Sequence, residues 1–290
     1  MDIGFIGFIG FGEVGKELSK GFSKHEVNRI YAYDPLRIGA DSKKLSERTE
    51  INYVEKAEIV AKQTLSILFV AVPATKTVEA WSEISDVVAN ETVLVDLTTA
   101  SSEEKNKINE MMYNKGMTII DAAILGALKV YQNEVPILAS GTQTNKFIEL
   151  GNQIGMNITK LNEKVGDATN FKFVRSIFTK GLSALLFEVM ASAEHLNITE
   201  EIYESITSTM DKDDFGEIIN RYIKSNVKHS QRREKEMKNV SEFLEHHRIE
   251  PVMTKATIQK LKNITQANLE SKLRDEVDDW SNVIKAYNQK

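Results

Sequence analysis

Through its first half the chain alternates short apolar runs with longer amphipathic stretches, and through its second half only helical spacing persists. Residues 3–9, 29–33, 65–72, 92–97, 117–121, 135–141 and 156–161 read as strands. The run at 65–72 (LSILFVAV) is apolar at nearly every position, as a parallel strand covered on both faces must be. Helical stretches follow several of these strands. The pattern predicts an α/β fold, a doubly wound and mostly parallel Rossmann-type sheet, over residues 1–163. Residues 164–290 are expected to form an all-helical C-terminal domain. Its predicted helices cover 167–195, a stretch opened by a Thr199 N-cap with Glu200 and Glu201 behind it, then 215–227, 229–247, 254–269 and 275–287. Thr144 is expected to cap a further helix over 145–153 in the first domain.

The loops that follow the strands hold the first candidate chemistry. Gly10-Phe11-Gly12-Glu13-Val14-Gly15 joins the first strand to a helix. In such a turn the first glycine permits the bend, the second lets a pyrophosphate approach the backbone, and the third lets helix and strand pack closely. The helix start then offers unpaired N–H groups to phosphate oxygens. Some twenty residues on, Asp34 ends the second strand, where a carboxylate accepts from a ribose diol and repels a 2′-phosphate. NAD is therefore expected over NADP, with Arg37 nearby as the one feature pointing the other way. Ligands of open α/β sheets lie beyond the carboxyl ends of the strands. Gly10, Gly12, Glu13, Val14, Gly15, Asp34, Val72, Pro73 and Thr98 are accordingly the predicted cofactor-binding residues.

The long helix over 167–195 is apolar around most of its circumference, which predicts an interior location. Lys172, Arg175, Ser176, Thr179 and Ser183 recur along it at steps of three and four, with Lys180 bordering the stripe. Between Ala168 and Phe187 there are three cations and no acid. A solvated face is the ordinary explanation of such a stripe. The absence of acids favours instead the wall of a site that holds an anion. A second polar stretch, His229 to Glu236, places His229 and Arg232 or Arg233 on one helical face, although a solvated charged face is the usual explanation of such a run.

Composition narrows the classes. The chain has 290 residues, 41% hydrophobic and 27% charged, with a net charge of −5, so no basic field points to nucleic acid or a membrane surface. No cysteine is present, which excludes disulfides and thiolate metal ligands and fits a cytoplasmic protein. His195, His246 and His247 have no partners at ligand spacing, and no metal is expected. Asp2 and the following glycines argue against a signal peptide. No run approaches the ~18 uncharged residues of a membrane span.

These elements, in this order, resemble the 6-phosphogluconate and 3-hydroxyacid dehydrogenase superfamily. GFIGFGEVG is similar to that family's GFIGLGxMG opening, and Asp96-Leu97-Thr98-Thr99 to its Asp-x-Ser-Thr. Asp121 to Ala127 (DAAILGA) stands where the family has DxPVSGG. Val165 to Lys172 (VGDATNFK) stands where it has GxGxxxK, whose lysine is the catalytic acid/base. The departures are as specific. Leu125 occupies the place of a substrate-binding serine, Ala123 that of a proline, and Arg175-Ser176 that of paired asparagines. The family's later Lys-Asp helix is replaced by the His229 segment. FVRSIFTKGLSALLFE and His-x-x-Arg-Arg-x-x-Glu-Met are similar to an uncharacterised branch with its own C-terminal domain.

The resemblance implies a dehydrogenase that moves a hydride between NAD(P) and the alcohol or carbonyl carbon of a small anionic hydroxy acid or sugar acid. Lys172 would be its general acid/base, and a homodimer is implied as well. Arg175, Ser176, Thr179, His229 and Arg233 are the expected substrate-binding residues. Two alternatives stay open: a C=N reductase on the same fold, and a non-catalytic NAD(H)-binding sensor.

Overall fold

In the computed structural model, which describes residues 4–25, 30–37, 51–273 and 279–289, the apolar runs of the first half assemble into one eight-stranded sheet. Asp2, Ile3, Arg29 and 275–278, used in the sequence reading, lie outside the described residues. The strands are β1 (Phe5–Ile9), β2 (Ile30–Tyr33), β3 (Ile51–Tyr53), β4 (Leu65–Val70), β5 (Val93–Asp96), β6 (Ile119–Ile124), β7 (Ile137–Ser140) and β8 (Ile158–Asn162). Their order is β3-β2-β1-β4-β5-β6-β7-β8, and every pairing is parallel except β6 with β7. β3 and the short helix α2 (Ala57–Ala61) went unread in the sequence, because three residues with a central Asn52 give no usable period.

Side-chain alternation divides the core between the two faces of the sheet. Ile67 and Phe69 of β4 join Phe8, Phe22 and Phe147 on one side, while Leu68 and Val70 join Trp81, Ile84 and Ile108 on the other. The covering helices are α1 (Glu13–Phe22), α3 (Thr77–Ile84), α4 (Ser102–Tyr113), the short α5 (Leu128–Tyr131) and α6 (Thr144–Gln153). Ser101 begins α4 through a reciprocal box: its Oγ accepts from Glu104 N–H at 3.2 Å, and Glu104 Oε2 accepts from Ser101 N–H at 2.9 Å. Thr144 is the first residue of α6 rather than its cap, and its hydroxyl donates to Gly141 O.

The remaining helices are α7 (Asp167–His195), α8 (Thr199–Met210), α9 (Phe215–His246), α10 (Val252–Gln266), α11 (Leu269–Leu273) and α12 (Trp280–Asn288). The chain forms two compact units, Met1–Ser176 and Ile177–Lys290, so the division falls inside α7. In the second unit Val227, Leu269, Val283 and Ala286 form a small core, edged by Ile223, Ile264 and Tyr287. The helices expected over 215–227 and 229–247 are one: nothing at Lys228 breaks the 32-residue α9. Thr199 does not cap α8, whose N-cap is Ile198 without a side-chain bond.

One expectation is corrected outright. Most of α7 is not interior. Val174, Ile177 and Phe187 are 68%, 74% and 78% exposed, and Phe171, Phe173 and Leu185 are exposed too. By length and composition α7 is apolar enough to cross a membrane, with 11% of that window buried. An all-round apolar helix must be covered by something, but its sequence does not say whether its own chain does the covering.

Candidate functional site

The register of the strands places Tyr33, Ile9, Val70, Asp96, Asp121, Ser140 and Asn162 in one row across seven strands. The backbone continues the row by one step, with Gly10 N–H donating to Tyr33 O, Ala71 N–H to Ile9 O and Leu97 N–H to Val70 O. Every predicted cofactor residue lies just beyond this row.

The glycine turn has the shape a pyrophosphate needs. Gly10 sits at φ +85°, and a Cβ there would lie 2.5 Å from Ala71 O and 2.9 Å from Val72 Cγ1, so no side chain fits. A Cβ on Gly12 would meet nothing within 4 Å, which leaves its backbone open to a ligand. On Gly15 it would strike the Phe11 ring at 2.7 Å. Gly12 is the N-cap of α1 without a side-chain cap, and Glu13 and Val14 form the first turn. Open backbone, an uncapped helix start and a positive-φ glycine fit a dinucleotide phosphate. Asp34 lies beside them, its Oδ2 accepting from Phe11 N–H and its Oδ1 from Leu36 N–H, each at 2.9 Å. A carboxylate has about four acceptor sites, so these two bonds leave capacity for a diol. Burial pushes the Tyr53 hydroxyl up, opposed by a hydrogen bond with Arg37. Pro73 opens the turn Ala74–Lys76 beyond β4.

Along the same row runs a polar network that sequence reasoning missed. Lys105, Asp96 and Asp121 are all 0% exposed. Lys105 Nζ donates to Asp121 Oδ1 at 2.6 Å and to Thr98 O at 3.0 Å, and lies 3.1 Å from Asp96 Oδ1. Asp96 Oδ1 also accepts from Thr98 N–H at 2.9 Å and Thr98 Oγ1 at 2.7 Å, while its Oδ2 accepts from Trp81 Nε1 at 2.7 Å. All three ammonium protons therefore have acceptors. Burial pushes the Lys105 amine down, but the two carboxylates push it further up, and the net direction is up.

The first turn of α7 is fastened to this row, one strand per residue. Asn162 Nδ2 donates to Asp167 Oδ2 at 2.9 Å. Ser140 Oγ accepts from Ala168 N–H at 3.1 Å. Asp121 Oδ2 accepts from Thr169 N–H and its Oδ1 from Thr169 Oγ1, both at 2.8 Å. Further along, Arg175 Nη1 donates to Leu125 O at 3.2 Å, beyond the end of β6. Lys172 lies between these two attachments, three residues after Thr169 and three before Arg175, hence on the same helical face. Two of the positions where this chain departs from the family pattern, Leu125 and Arg175, are thus in contact.

Lys172 and Ser176 are half-buried and Arg175 is exposed, all in the first unit. Thr179 on α7 and His229 and Arg233 on α9 belong to the second unit, where Arg233 Nη1 donates to Asn226 Oδ1 at 2.6 Å. Among the described residues no three histidine or acidic side chains group as metal ligands.

Residues 5–159 match the NAD-binding domain of 6-phosphogluconate dehydrogenase, and residues 193–264 match a domain of unknown function (DUF1932). An uncharacterized 28.5 kDa protein of Methanothermus fervidus, from the 5′ region of its 7S RNA, is 30% identical over 267 residues, covering 90% of this chain and 99% of that protein. A solved protein of unknown function, described as structurally similar to 3-hydroxyacid dehydrogenases, is 28% identical with a TM-score of 0.59, over 91% of this chain and 98% of that one. Imine reductases of Myxococcus stipitatus share the fold at 16% identity. A variant in complex with NAD+ has a TM-score of 0.77 over 99% of both chains, and a complex with NADP+ has 0.75 over 98% and 99%. The chain belongs to the dehydrogenase and reductase family defined by the NAD-binding domain of 6-phosphogluconate dehydrogenase.

Proposed function

We propose that the protein is an NAD-dependent dehydrogenase that interconverts a small anionic hydroxy acid and its carbonyl form, with Lys172 as general acid/base. The observation behind this reading is the double attachment of α7, through Thr169 to Asp121 and through Arg175 to Leu125 O, which sets the face bearing Lys172 along the carboxyl end of β6. The nicotinamide would supply or accept the hydride; the chain's own residues do the rest. Lys172 takes the proton from the substrate hydroxyl during oxidation and returns it to the alkoxide during reduction. The Arg175 guanidinium holds the substrate carboxylate with a planar fork that lysine lacks. Ser176, beside it, orients an oxygen. None of this requires Thr179, His229 or Arg233.

Asp34 supports NAD over NADP, since a 2′-phosphate would meet a carboxylate anchored by two backbone N–H groups. The partner would be a second copy. The apolar side chains that α7 leaves exposed, Val174, Ile177 and Phe187 foremost, would lie in that interface.

The test is a panel of hydroxy acids, sugar acids and cyclic imines with NAD and NADP, read at the absorbance of the reduced cofactor. Lys172→Met should lower turnover by at least ~100-fold while NADH affinity stays within about twofold. Unchanged turnover would remove Lys172 from the mechanism. Activity confined to cyclic imines would assign the reaction to C=N reduction instead.

A further inference from the structure

We propose that the second unit carries a ligand site of its own, a cavity between α9, α10, α11 and α12 that takes a small carboxylate with an apolar body. The site does not depend on the hydride-transfer reading. Helical spacing of three and four gathers its lining: Ile223 and Asn226 on α9, Lys260 and Ile264 on α10, and Val283, Ile284 and Tyr287 on α12. The core at this place includes Val227, Val283 and Ala286, whose short side chains leave space beside Leu269. Apart from its polar mouth, the wall of that space is aliphatic. Its volume is about 280 Å³. A dry apolar cavity of about 150 Å³ admits benzene, so this one has room for a ring with a short chain attached.

The polar side chains of the lining are Asn226, Lys260 and Tyr287, and each has donors to offer. Lys260 Nζ donates to Tyr287 OH at 3.3 Å and lies 4.8 Å from the centre of that ring. Among the described residues that hydroxyl is its one hydrogen-bond acceptor, which leaves two ammonium protons for a ligand. Having accepted from Lys260, the Tyr287 hydroxyl keeps its own proton to give. Arg233 Nη1 donates to Asn226 Oδ1 at 2.6 Å. A guanidinium can only donate, so this contact fixes the orientation of the amide and leaves its NH₂ group for a ligand. Arg233, which hydride transfer does not need, thereby has a place in the second unit. The last carbonyls of α12 would repel an anion, but Lys272 Nζ donates to Ala286 O at 3.3 Å and to Gln289 O at 2.7 Å and offsets them. Donors and cations at the mouth select an anion. The aliphatic wall then selects one with an apolar body, since a bare phosphate would leave that wall unused.

The experiment titrates the full-length protein with phenylbutyrate, phenylbutyramide and phenylbutylamine, followed by calorimetry. The three share one apolar body and differ in the group offered to Lys260. The carboxylate should bind at least ~10-fold tighter than the amide, and the amine weakest of all. Lys260→Met, at an exposed position, should weaken the carboxylate by about 10-fold and leave the amide within about twofold. Ile284→Trp should fill the cavity and weaken carboxylate and amide alike, with a thermal melt to check that it folds; if it does not, Lys260→Met carries the test. An amide that binds as tightly as the carboxylate overturns the proposal. So does the absence of saturable heat from the carboxylate, whether water or a second copy then fills the cavity. Carboxylate binding that survives Lys260→Met but is lost in Arg175→Gln would place the probe on α7 and overturn it as well.

Discussion

Replacing Lys105 with methionine probes the most tightly built part of the first unit. The substitution keeps the apolar stem and removes the ammonium, leaving Asp96 and Asp121 at 0% exposure without their shared cation. Their bonds from Trp81, Thr98 and Thr169 survive, but two buried carboxylates now repel each other. Removing one partner of a buried ion pair costs about 3–5 kcal/mol, a large share of the roughly 5–15 kcal/mol that holds a domain folded. The pH dependence is the sharper signature. In the natural chain the Lys105 amine is raised above 10.5. Its contribution is fully present below that value and lost only as pH rises through the higher folded value, so it is flat from pH 5 to 9. Urea denaturation at pH 5, 6.5 and 8 measures this in a Trp280→Phe background, where Trp81, itself bonded to Asp96, is the remaining tryptophan. Adding Asp121→Asn to Lys105→Met should recover about half of the loss. A loss under ~1 kcal/mol at pH 8 would refute the reasoning.

Gly10→Ala should destabilise the first unit by roughly 2–4 kcal/mol and abolish NADH binding, since the methyl meets Ala71 O at φ +85°; near-normal NADH affinity would show that the turn can relax. Glu188 of α7 accepts from Met253 N–H, Thr254 N–H and Thr254 Oγ1 at the start of α10. Burial pushes its carboxyl up, these bonds pull it further down, and it stays below its ordinary 4.5. Glu188→Ala should cost roughly 0.5–2 kcal/mol, as a lost helix cap does. The bonds' contribution is present above about pH 4.5 and lost as pH falls through the depressed value, so the variant and the natural chain should converge in thermal melts near pH 3. Val174→Glu with Ile177→Glu should convert a dimer to a monomer in sedimentation velocity; a natural chain already monomeric at high concentration would remove the proposed partner.

The sheet was legible because its strands are apolar on both faces, and the glycine turn because its spacing carries its own mechanism. Lys105 was not. It stands in SSEEKNKINE, a polar helical stretch that reads as solvated, and its partners lie nine residues back and sixteen ahead on neighbouring strands. The available hint was the pair Asp96 and Asp121, two carboxylates closing apolar strands, which need a partner if they are buried. Arg175 and Leu125 could each be singled out, but the sequence has no term for their contact across fifty residues. The long helix misled for a different reason: an apolar circumference reports that a surface is covered, and α7 leaves much of that surface exposed within one chain.

A buried ion network is weak evidence of stability, because well-packed apolar residues often replace one at no cost. The bonds at the start of α7 suggest what this one contributes instead. Apolar contact under Ala168 would tolerate a small slide or rotation of the helix. Directional bonds from Asn162, Ser140 and Asp121 to three successive residues fix both the rise and the rotation. Lys172 and Arg175, one and two turns further along, inherit that setting, and an error of about 1 Å at a reacting group can cost on the order of 100-fold in rate. Lys105 holds Asp121 in place to receive Thr169, so its charge acts on geometry at a distance from any substrate. The double variant with Lys105→Met and Asp121→Asn separates the two roles: if the network serves placement, stability should recover while binding of carboxylates at Arg175 does not. Recovery of both together would make the network an ordinary part of the core.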